Sequence, residues 1–149
     1  MKMYEIEDVK PFMGQLLLQE TFDKFCVSMA EIRTLVSIRF QGNLCHEWLS
    51  PEEAEKYQSF EYVPWKLLRP IVFDLVKGKQ TPEFMKIQFV HYRENGDCGG
   101  LRIQYEAGKL SCLSSYTSAE FSLERNQEII WDENCLKFLS KHGIVSTQL

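Results

Sequence analysis

The sequence lacks any run of apolar residues long enough to cross a bilayer, for which about 20 residues are needed. Its first eight residues contain Glu5 and Glu7 and no apolar stretch of signal-peptide length. These two absences argue against a membrane partner and against export. We therefore expect a cytoplasmic protein.

Cysteine and histidine are too scattered to form a recognisable ligand set. The 5 cysteines are odd in number and include no Cys-x-x-Cys pair, and the 3 histidines have no partner at metal-ligand spacing. The sequence thus predicts neither a disulfide framework nor a metal site, and it predicts no cofactor. The cysteines are interpreted as small buried hydrophobic residues, namely Cys26, Cys45, Cys98, Cys112 and Cys135.

Signatures of catalysis are missing as well. Residues 95–100 are rich in glycine, but a phosphate-binding loop opens a helix, whereas the residues from Leu101 alternate as a strand. The hydroxyl-rich residues 111–118 contain no Gly-x-Ser-x-Gly motif. No catalytic residue is predicted, and an enzyme is the less favoured class. A small cytosolic enzyme of unrecognised type stays open as the alternative to a binding protein.

Positive charge is in deficit, because the formal net charge is -4. A polyanion is repelled by such a molecule at long range, so any contact with nucleic acid must come from a local basic patch. The charge balance therefore favours a protein partner, self-association or a small molecule, and it leaves the identity of that partner open.

The chain does contain enough apolar residues for one substantial core. Its 149 residues are 44% hydrophobic and 13% aromatic, which fits a single domain over residues 1–149. Periodicity in the first part predicts a strand, a helix and three further strands, with a capped turn or acidic linker after them. These elements fall at residues 3–6, 9–19, 25–40 with a turn near 30–34, and 44–49.

The stretch from residue 60 to residue 113 has the same order of elements. It predicts a strand, a helix with Pro70 in its interior, which should kink or break it, and three strands. These lie at residues 60–63, 64–76, 84–92, 101–105 and 110–116, with strand-like alternation again at 119–124. A last helix at about residues 132–142 is predicted to be capped by Asp132, stapled by Trp131 onto Leu136, and ended by Gly143.

The order strand, helix, three strands therefore occurs twice, in halves at about residues 1–57 and 58–125. Ile38-Arg39-Phe40 before Gly42 corresponds to Ile103-Gln104-Tyr105 before Gly108, and Val63-Pro64 leads a helix. The pattern resembles one domain of a DNA sliding clamp. This resemblance implies an α+β fold of duplicated units with a mainly antiparallel sheet, whose helices face DNA. Clamp chains contain two or three such domains, whereas this chain has room for one and a C-terminal helix.

A second resemblance comes from the helix at residues 64–76 and the segment after it. The pattern Trp65-Lys66, Arg69-Pro70 and Lys77-Gly78-Lys79-x-Thr81-Pro82 looks like that of a family of uncharacterised bacterial proteins. This resemblance implies no activity.

Lys66, Arg69 and Lys77 form the remaining candidate site. They fall within about 80° of arc opposite the apolar face of the predicted helix, and we expect them to contact nucleic acid weakly. No aromatic-lined basic groove is evident in the sequence. We interpret the protein as a non-catalytic cytosolic binding module. Changing all three residues to glutamine is expected to abolish binding and to leave the melting temperature unchanged.

Overall fold

The computed structural model describes residues 1–78, 80–121 and 123–149. Over these residues the chain forms eight β-strands and four α-helices. The strands are β1 (Met3–Ile6), β2 (Cys26–Arg33), β3 (Ser37–Gln41), β4 (Val63–Pro64), β5 (Phe84–Tyr92), β6 (Cys98–Glu106), β7 (Lys109–Thr117) and β8 (Ser146–Gln148). The helices are α1 (Val9–Leu18), α2 (Pro51–Lys56), α3 (Trp65–Val76) and α4 (Asn126–Lys141).

The strands form one antiparallel sheet in the order β3, β2, β5, β6, β7, β1, β8, with β4 beside the start of β2. The tight turn between β6 and β7 places Ala107 and Gly108 at φ values of 52° and 77°, as a two-residue hairpin loop requires. β1 returns from the N-terminus to pair with β7. The predicted α+β class, the antiparallel sheet and a C-terminal helix are therefore confirmed.

One face of the sheet is covered by helices. Along β5, Met85, Ile87 and Phe89 are buried, whereas the intervening Lys86 and Gln88 are only partly buried. Because alternate side chains of a strand point to opposite faces, the apolar set joins the buried residues of α1, α3 and α4 in one core. The other face carries polar pairs, such as Arg102 Nε donating to Gln88 Oε1 at 3.0 Å.

Two buried tryptophans fasten helices to their neighbours. Trp65 starts α3 and donates its Nε1 hydrogen to the carbonyl of Leu16 in α1 at 3.0 Å. Trp131 in α4 donates to the carbonyl of Gly100 in β6, also at 3.0 Å. A Cβ on the adjacent Gly99 would lie 2.4 Å from the Trp131 ring, so glycine is what lets α4 approach the sheet this closely. Both indole groups are thus satisfied while buried.

The predicted strand at residues 44–49 is wrong. After β3 the chain makes one isolated bridge between Asn43 and Tyr62, followed by a 3-10 turn over His46–Trp48. The backbone N–H of Leu44 donates to the carbonyl of Glu61 at 2.9 Å, and that of Trp48 donates to the carbonyl of Cys45 at 3.1 Å, so this segment bonds to the chain before β4 and to itself, and β3 stays the edge of the sheet. The turn of the first hairpin also differs from the prediction, since β2 continues to residue 33 and the chain turns at residues 34–36.

The predicted strand at residues 119–124 is wrong for the described residues 119–121, 123 and 124, while Ser122 lies outside the described residues. The Asp97 carboxylate accepts hydrogen bonds from the backbone N–H of Ala119 at 2.7 Å and from the Tyr116 hydroxyl. These bonds draw the chain towards the β5–β6 turn, and β7 ends at Thr117.

The C-terminal helix exists but begins six residues before the predicted position 132, at residue 126. Asp132 is therefore not its cap. It lies buried inside the helix and accepts a 2.6 Å hydrogen bond from the Ser114 hydroxyl in β7. Trp131 lies in the helix too, and Leu136 is 41% exposed, so the predicted staple does not form. The predicted end is confirmed, because the helix stops at residue 141 and Gly143 has a φ of 71°.

The two sequence halves are interleaved in the sheet. β1, α1, β2 and β3 come from the first half, and β4, α3, β5, β6 and β7 from the second. The strands that follow α1 and α3, β2 and β5, pair with each other, and the first strand of each half pairs with a strand of the other. α3 continues from Trp65 to Val76 with Pro70 inside it, so the predicted break is wrong, and a kink at Pro70 stays a prediction. The first half lacks the third strand of the predicted repeat, because residues 44–49 form no strand. The superposition of the halves and the clamp likeness stay predictions.

Candidate anion-binding groove

The three cations predicted from sequence lie on or just after α3, and two of them have partners. Arg69 donates from Nε and Nη2 to the two carboxylate oxygens of Asp23, at 3.0 and 2.9 Å. Lys77 follows the helix, with its Nζ 3.2 Å from Asp74 Oδ1. Lys66 is exposed on α3. Their role in binding stays a prediction, and they offer less unpaired charge than the sequence suggested.

A different set of cations gathers around an open hollow of about 530 Å³. The hollow lies between the segment that leads into β2, the end of β5 and one face of α4. We call it the cationic groove, and its basic residues are Lys24, Arg93, Lys137, Lys141, His91 and His142.

Local structure explains why these residues meet. Lys137 and Lys141 are four residues apart in α4, so they lie on one helix face, with Phe138 beside them. His91 is near the end of β5, and Arg93 follows that strand directly. Lys24 belongs to a short turn before β2. The groove is therefore built from three separated stretches of chain.

The floor of the groove is aromatic. Lys24 Nζ lies 4.5 Å from the ring centroid of Phe138, and the Arg93 guanidinium carbon lies 5.9 Å from that of Trp131. The His91 ring stacks on Trp131, with centroids 6.0 Å apart and planes 9° apart. Cations over aromatic faces gain some electrostatic stabilisation without a carboxylate partner. The prediction that the chain has no aromatic-lined basic groove is therefore wrong.

The four permanent cations of the groove form no ion pair with a carboxylate of the described residues. Among residues 1–78, 80–121 and 123–149, no Asp or Glu oxygen lies within 4.0 Å of the side-chain nitrogens of Lys24, Arg93, Lys137 or Lys141. Glu20 is the acidic residue in the groove lining. In a chain of net charge -4, the groove is thus a local positive region of the kind that a polyanion requires.

Burial and neighbouring cations lower the pKa of three basic groups in the groove. Burial lowers the pKa of His91, and the nearby Lys24 and Arg93 lower it further. Burial and then Lys141 and Lys24 lower the pKa of His142. The pKa of Lys24 is lowered by burial and then by Lys141. Lys24, Arg93 and Lys141 therefore disfavour protonation of the basic groups beside them, and a bound anion would oppose this effect.

A second hollow of about 470 Å³ adjoins the groove, since Lys24 and His91 line both. We call it the notch. It forms because β2 begins at Cys26, which pairs with β4 on one side and with β5 on the other. Beyond that residue, none of the strands described in the structure lies between residues 60–62 and the end of β5.

Two tyrosines line the notch. The rings of Tyr62 and Tyr92 are parallel within 5°, with centroids 6.5 Å apart. The Tyr92 hydroxyl donates to Glu61 at 2.7 Å, and this bond, together with burial, raises the pKa of Tyr92. The Tyr92 side chain is 48% exposed, so one aromatic surface remains open to solvent.

A third hollow, of about 480 Å³, is acidic. It is lined by Asp97 and by glutamates of the loop before α4 and of the first turn of that helix. The Asp97 carboxylate already accepts hydrogen bonds from Tyr116, Ala119 and Asn95, so it is not free to bind a ligand. These bonds lower the pKa of its carboxyl group and hold the loop, so we assign Asp97 a structural role.

One protein family matches the part of the chain that contributes several residues of the groove and the notch. A family of unknown function, DUF5721, matches residues 15–98, which is more than half of the chain. The chain belongs to this family. The predicted resemblance to an uncharacterised family is thus confirmed, whereas bacterial origin stays a prediction. The matched residues include Lys24, His91 and Arg93 of the groove and the tyrosines of the notch, while Lys137 and Lys141 lie beyond them.

No other similar protein was found. Neither the curated proteins nor the solved structures gave a match. Among the described residues, none of the helices has both the length and the apolar character to cross a membrane. The same residues contain no cluster of three His, Cys, Asp or Glu side chains that could hold a metal ion.

Proposed function

We propose that this protein is a non-catalytic cytosolic binding module that holds an anionic partner in the cationic groove. The observation that carries the proposal is that Lys24, Arg93, Lys137 and Lys141 converge on one hollow and that, in the part of the chain that the structure describes, no carboxylate lies within ion-pair distance of them. Proteins normally pair such charges or spread them over the surface, because repulsion between them costs free energy. An anionic partner would supply the missing counter-charge.

The composition of the groove supports binding more than catalysis. General acid–base chemistry commonly uses a carboxylate or a histidine oriented by one. Here the lining contributes Glu20 as its acidic residue, and His91 stacks on Trp131. A small cytosolic enzyme stays the second candidate, because His91 and His142 both line the groove and their lowered pKa values favour the neutral imidazole, which can accept a proton, near pH 7.

A cytosolic location is part of the same proposal. The structure contains five free cysteines, of which Cys45 is exposed and Cys26 and Cys98 are partly exposed. Unpaired, accessible thiols suit a reducing compartment. The interpretation of all five as buried hydrophobic residues is correct for Cys112 and Cys135 and wrong for the other three.

The test is calorimetric titration with tripolyphosphate at low salt. The variant Lys137→Gln/Lys141→Gln removes two groove cations from an exposed helix face, and we expect it to bind at least about tenfold more weakly, since hydrogen bonds to charged groups contribute about 1.5 to 3 kcal/mol each. The matched control is Lys66→Gln/Lys77→Gln, which removes two lysines from the surface predicted by sequence and should bind as the wild type does.

Two results would contradict the proposal. One is no binding of tripolyphosphate to the wild type at low salt. The other is an affinity that survives in Lys137→Gln/Lys141→Gln and falls in Lys66→Gln/Lys77→Gln, which would place the site on α3, as the clamp likeness implies.

A further inference from the structure

The cationic groove and the notch meet at the edge of the sheet, where Lys24 and His91 line both hollows. Because consecutive residues of a strand point to opposite faces, His91 lies on the helix-covered face and Tyr92 on the other, so a ligand in the groove would pass around this edge to reach Tyr62 and Tyr92. We propose that the anionic partner is a single-stranded nucleic acid, whose phosphates contact the groove cations and whose bases stack on the tyrosines. This inference rests on the proposed function of the groove.

We place the phosphates in the groove, because the aromatic rings of its floor are buried and cannot stack with bases. Phe25, Trp131 and Phe138 are 3%, 5% and 8% exposed. Lys24 lies over Phe25 and Phe138, and Arg93 lies over Trp131, so cations cover the faces that a base would need. A ligand in the groove therefore meets positive charge, and a phosphodiester backbone supplies the matching charge at regular spacing.

We place the bases in the notch, because the Tyr92 ring is partly exposed and is held in one orientation. Its side chain is 48% exposed, its ring lies parallel to that of Tyr62, and its hydroxyl is held by Glu61. The ring is thus oriented before any ligand arrives, which reduces the entropy lost on binding. Stacking of a base on such a ring contributes about 1 to 3 kcal/mol and does not depend on sequence.

Other polyanions use only part of this surface. A duplex keeps its bases stacked inside and presents phosphates alone, so the tyrosines would gain nothing from it. An acidic peptide pairs with the cations but brings no flat ring to the notch. A single strand, whose bases are free, uses both the charge and the rings.

The experiment measures fluorescence anisotropy of labelled single-stranded oligonucleotides of about 20 residues, oligo-dT and oligo-rU, at about 50 mM salt, and binding of either one is the expected result. With four cations engaged, the slope of log K against log salt should be about -3. The same oligonucleotide as a duplex, and a poly-glutamate peptide, should each bind at least about tenfold more weakly.

The tyrosine variants separate stacking from charge. Tyr92→Leu keeps an apolar side chain and loses the ring, so we expect about tenfold weaker oligonucleotide binding and unchanged binding of tripolyphosphate. Tyr92→Phe keeps the ring and its parallel contact with Tyr62 and loses the bond to Glu61, so its binding should lie between that of Tyr92→Leu and that of the wild type. Phe121→Leu is the matched control, because Phe121 is 93% exposed and lies outside both the groove and the notch.

The outcomes distinguish this inference from the proposed function. If Tyr92→Leu binds the oligonucleotide as tightly as the wild type, or if the duplex or the peptide binds equally well, the single-strand inference is overturned. The proposed function then still stands, provided that tripolyphosphate binding depends on Lys137 and Lys141. If the wild type binds neither tripolyphosphate nor oligonucleotide, both proposals fail together.

Discussion

His91 and His142 line the cationic groove, and burial and neighbouring cations lower the pKa of both. An unfolded histidine has a pKa of about 6.5, so between that pH and the lower folded values the unfolded chain binds more protons. We therefore expect the free energy of unfolding, measured in urea, to fall as the pH is lowered from about 7.5 through about 6.5 towards the folded values. The variant His91→Gln/His142→Gln should lose less, and an equal loss would show that other groups carry the pH dependence.

Arg69 stabilises the fold through its ion pair with Asp23. It and Asp23 are largely buried and joined by two hydrogen bonds, so Arg69→Gln leaves Asp23 without its partner. We expect a loss of about 1 to 2 kcal/mol in the free energy of unfolding, between the values of surface and fully buried pairs. Lys66→Gln should change it by less than about 0.5 kcal/mol. Thermal melts of the two variants, compared with the wild type, provide the check.

The Arg69 pair also changes the expectation made from sequence for the triple glutamine variant. Its melting temperature should fall, and an unchanged value would mean that the pair contributes nothing to stability. Helical periodicity correctly placed Arg69 on the helix that is α3, but it could not reveal Asp23, which is 46 residues away in sequence. Periodicity reports which face of a helix a residue occupies, and it contains no information about distant partners.

At the scale of elements, α4 offers a matched pair of substitutions. Leu139 is fully buried in the core, whereas Leu136, one turn earlier, is 41% exposed. Leu139→Ala should lower the free energy of unfolding by about 2 to 5 kcal/mol, because it removes buried methyl groups and leaves a cavity. Leu136→Ala should cost less than about 1 kcal/mol. Urea denaturation measures both, and similar losses would mean that α4 is packed differently from the structure.

Sequence patterns predicted the elements well where one face is buried throughout. Phe84–Tyr92 alternates along its whole length and is β5 with the predicted bounds. The strand predicted at 44–49 failed because this segment bonds to Glu61 and to itself instead of to β3, and a local pattern contains no information about such partners. The start of α4 was misplaced for a related reason. Asp132 has the right chemistry for a cap, but its partner is Ser114 in β7.

At the scale of the whole molecule, the groove could be predicted only in part. The spacing of Lys137, Phe138 and Lys141 was visible in the sequence as one face of a helix. Lys24 and Arg93 come from stretches far from it, and only the packing of α4 over the end of β5 brings them together. The net charge of -4 predicted that any polyanion site must be local, and the groove fits that requirement.

The interleaving of the two halves leads to a prediction about folding. β2 pairs with β4 and β5, and β1 pairs with β7 and β8, so separating residues 1–57 from residues 58–149 removes partners from both fragments. The first fragment keeps the β2–β3 hairpin as its strand pairing, and a lone hairpin is at best marginally stable in water.

The second fragment keeps β5, β6 and β7 but loses α1, and with it the Leu16 carbonyl that accepts from Trp65. We expect the intact chain to melt in one cooperative transition and each fragment alone to show none. An equimolar mixture should regain near-ultraviolet circular dichroism, because the buried aromatic residues come from both fragments. Cooperative melting of the second fragment alone, at the temperature of the intact chain, would show that the second half is an independent folding unit to which the first half is added.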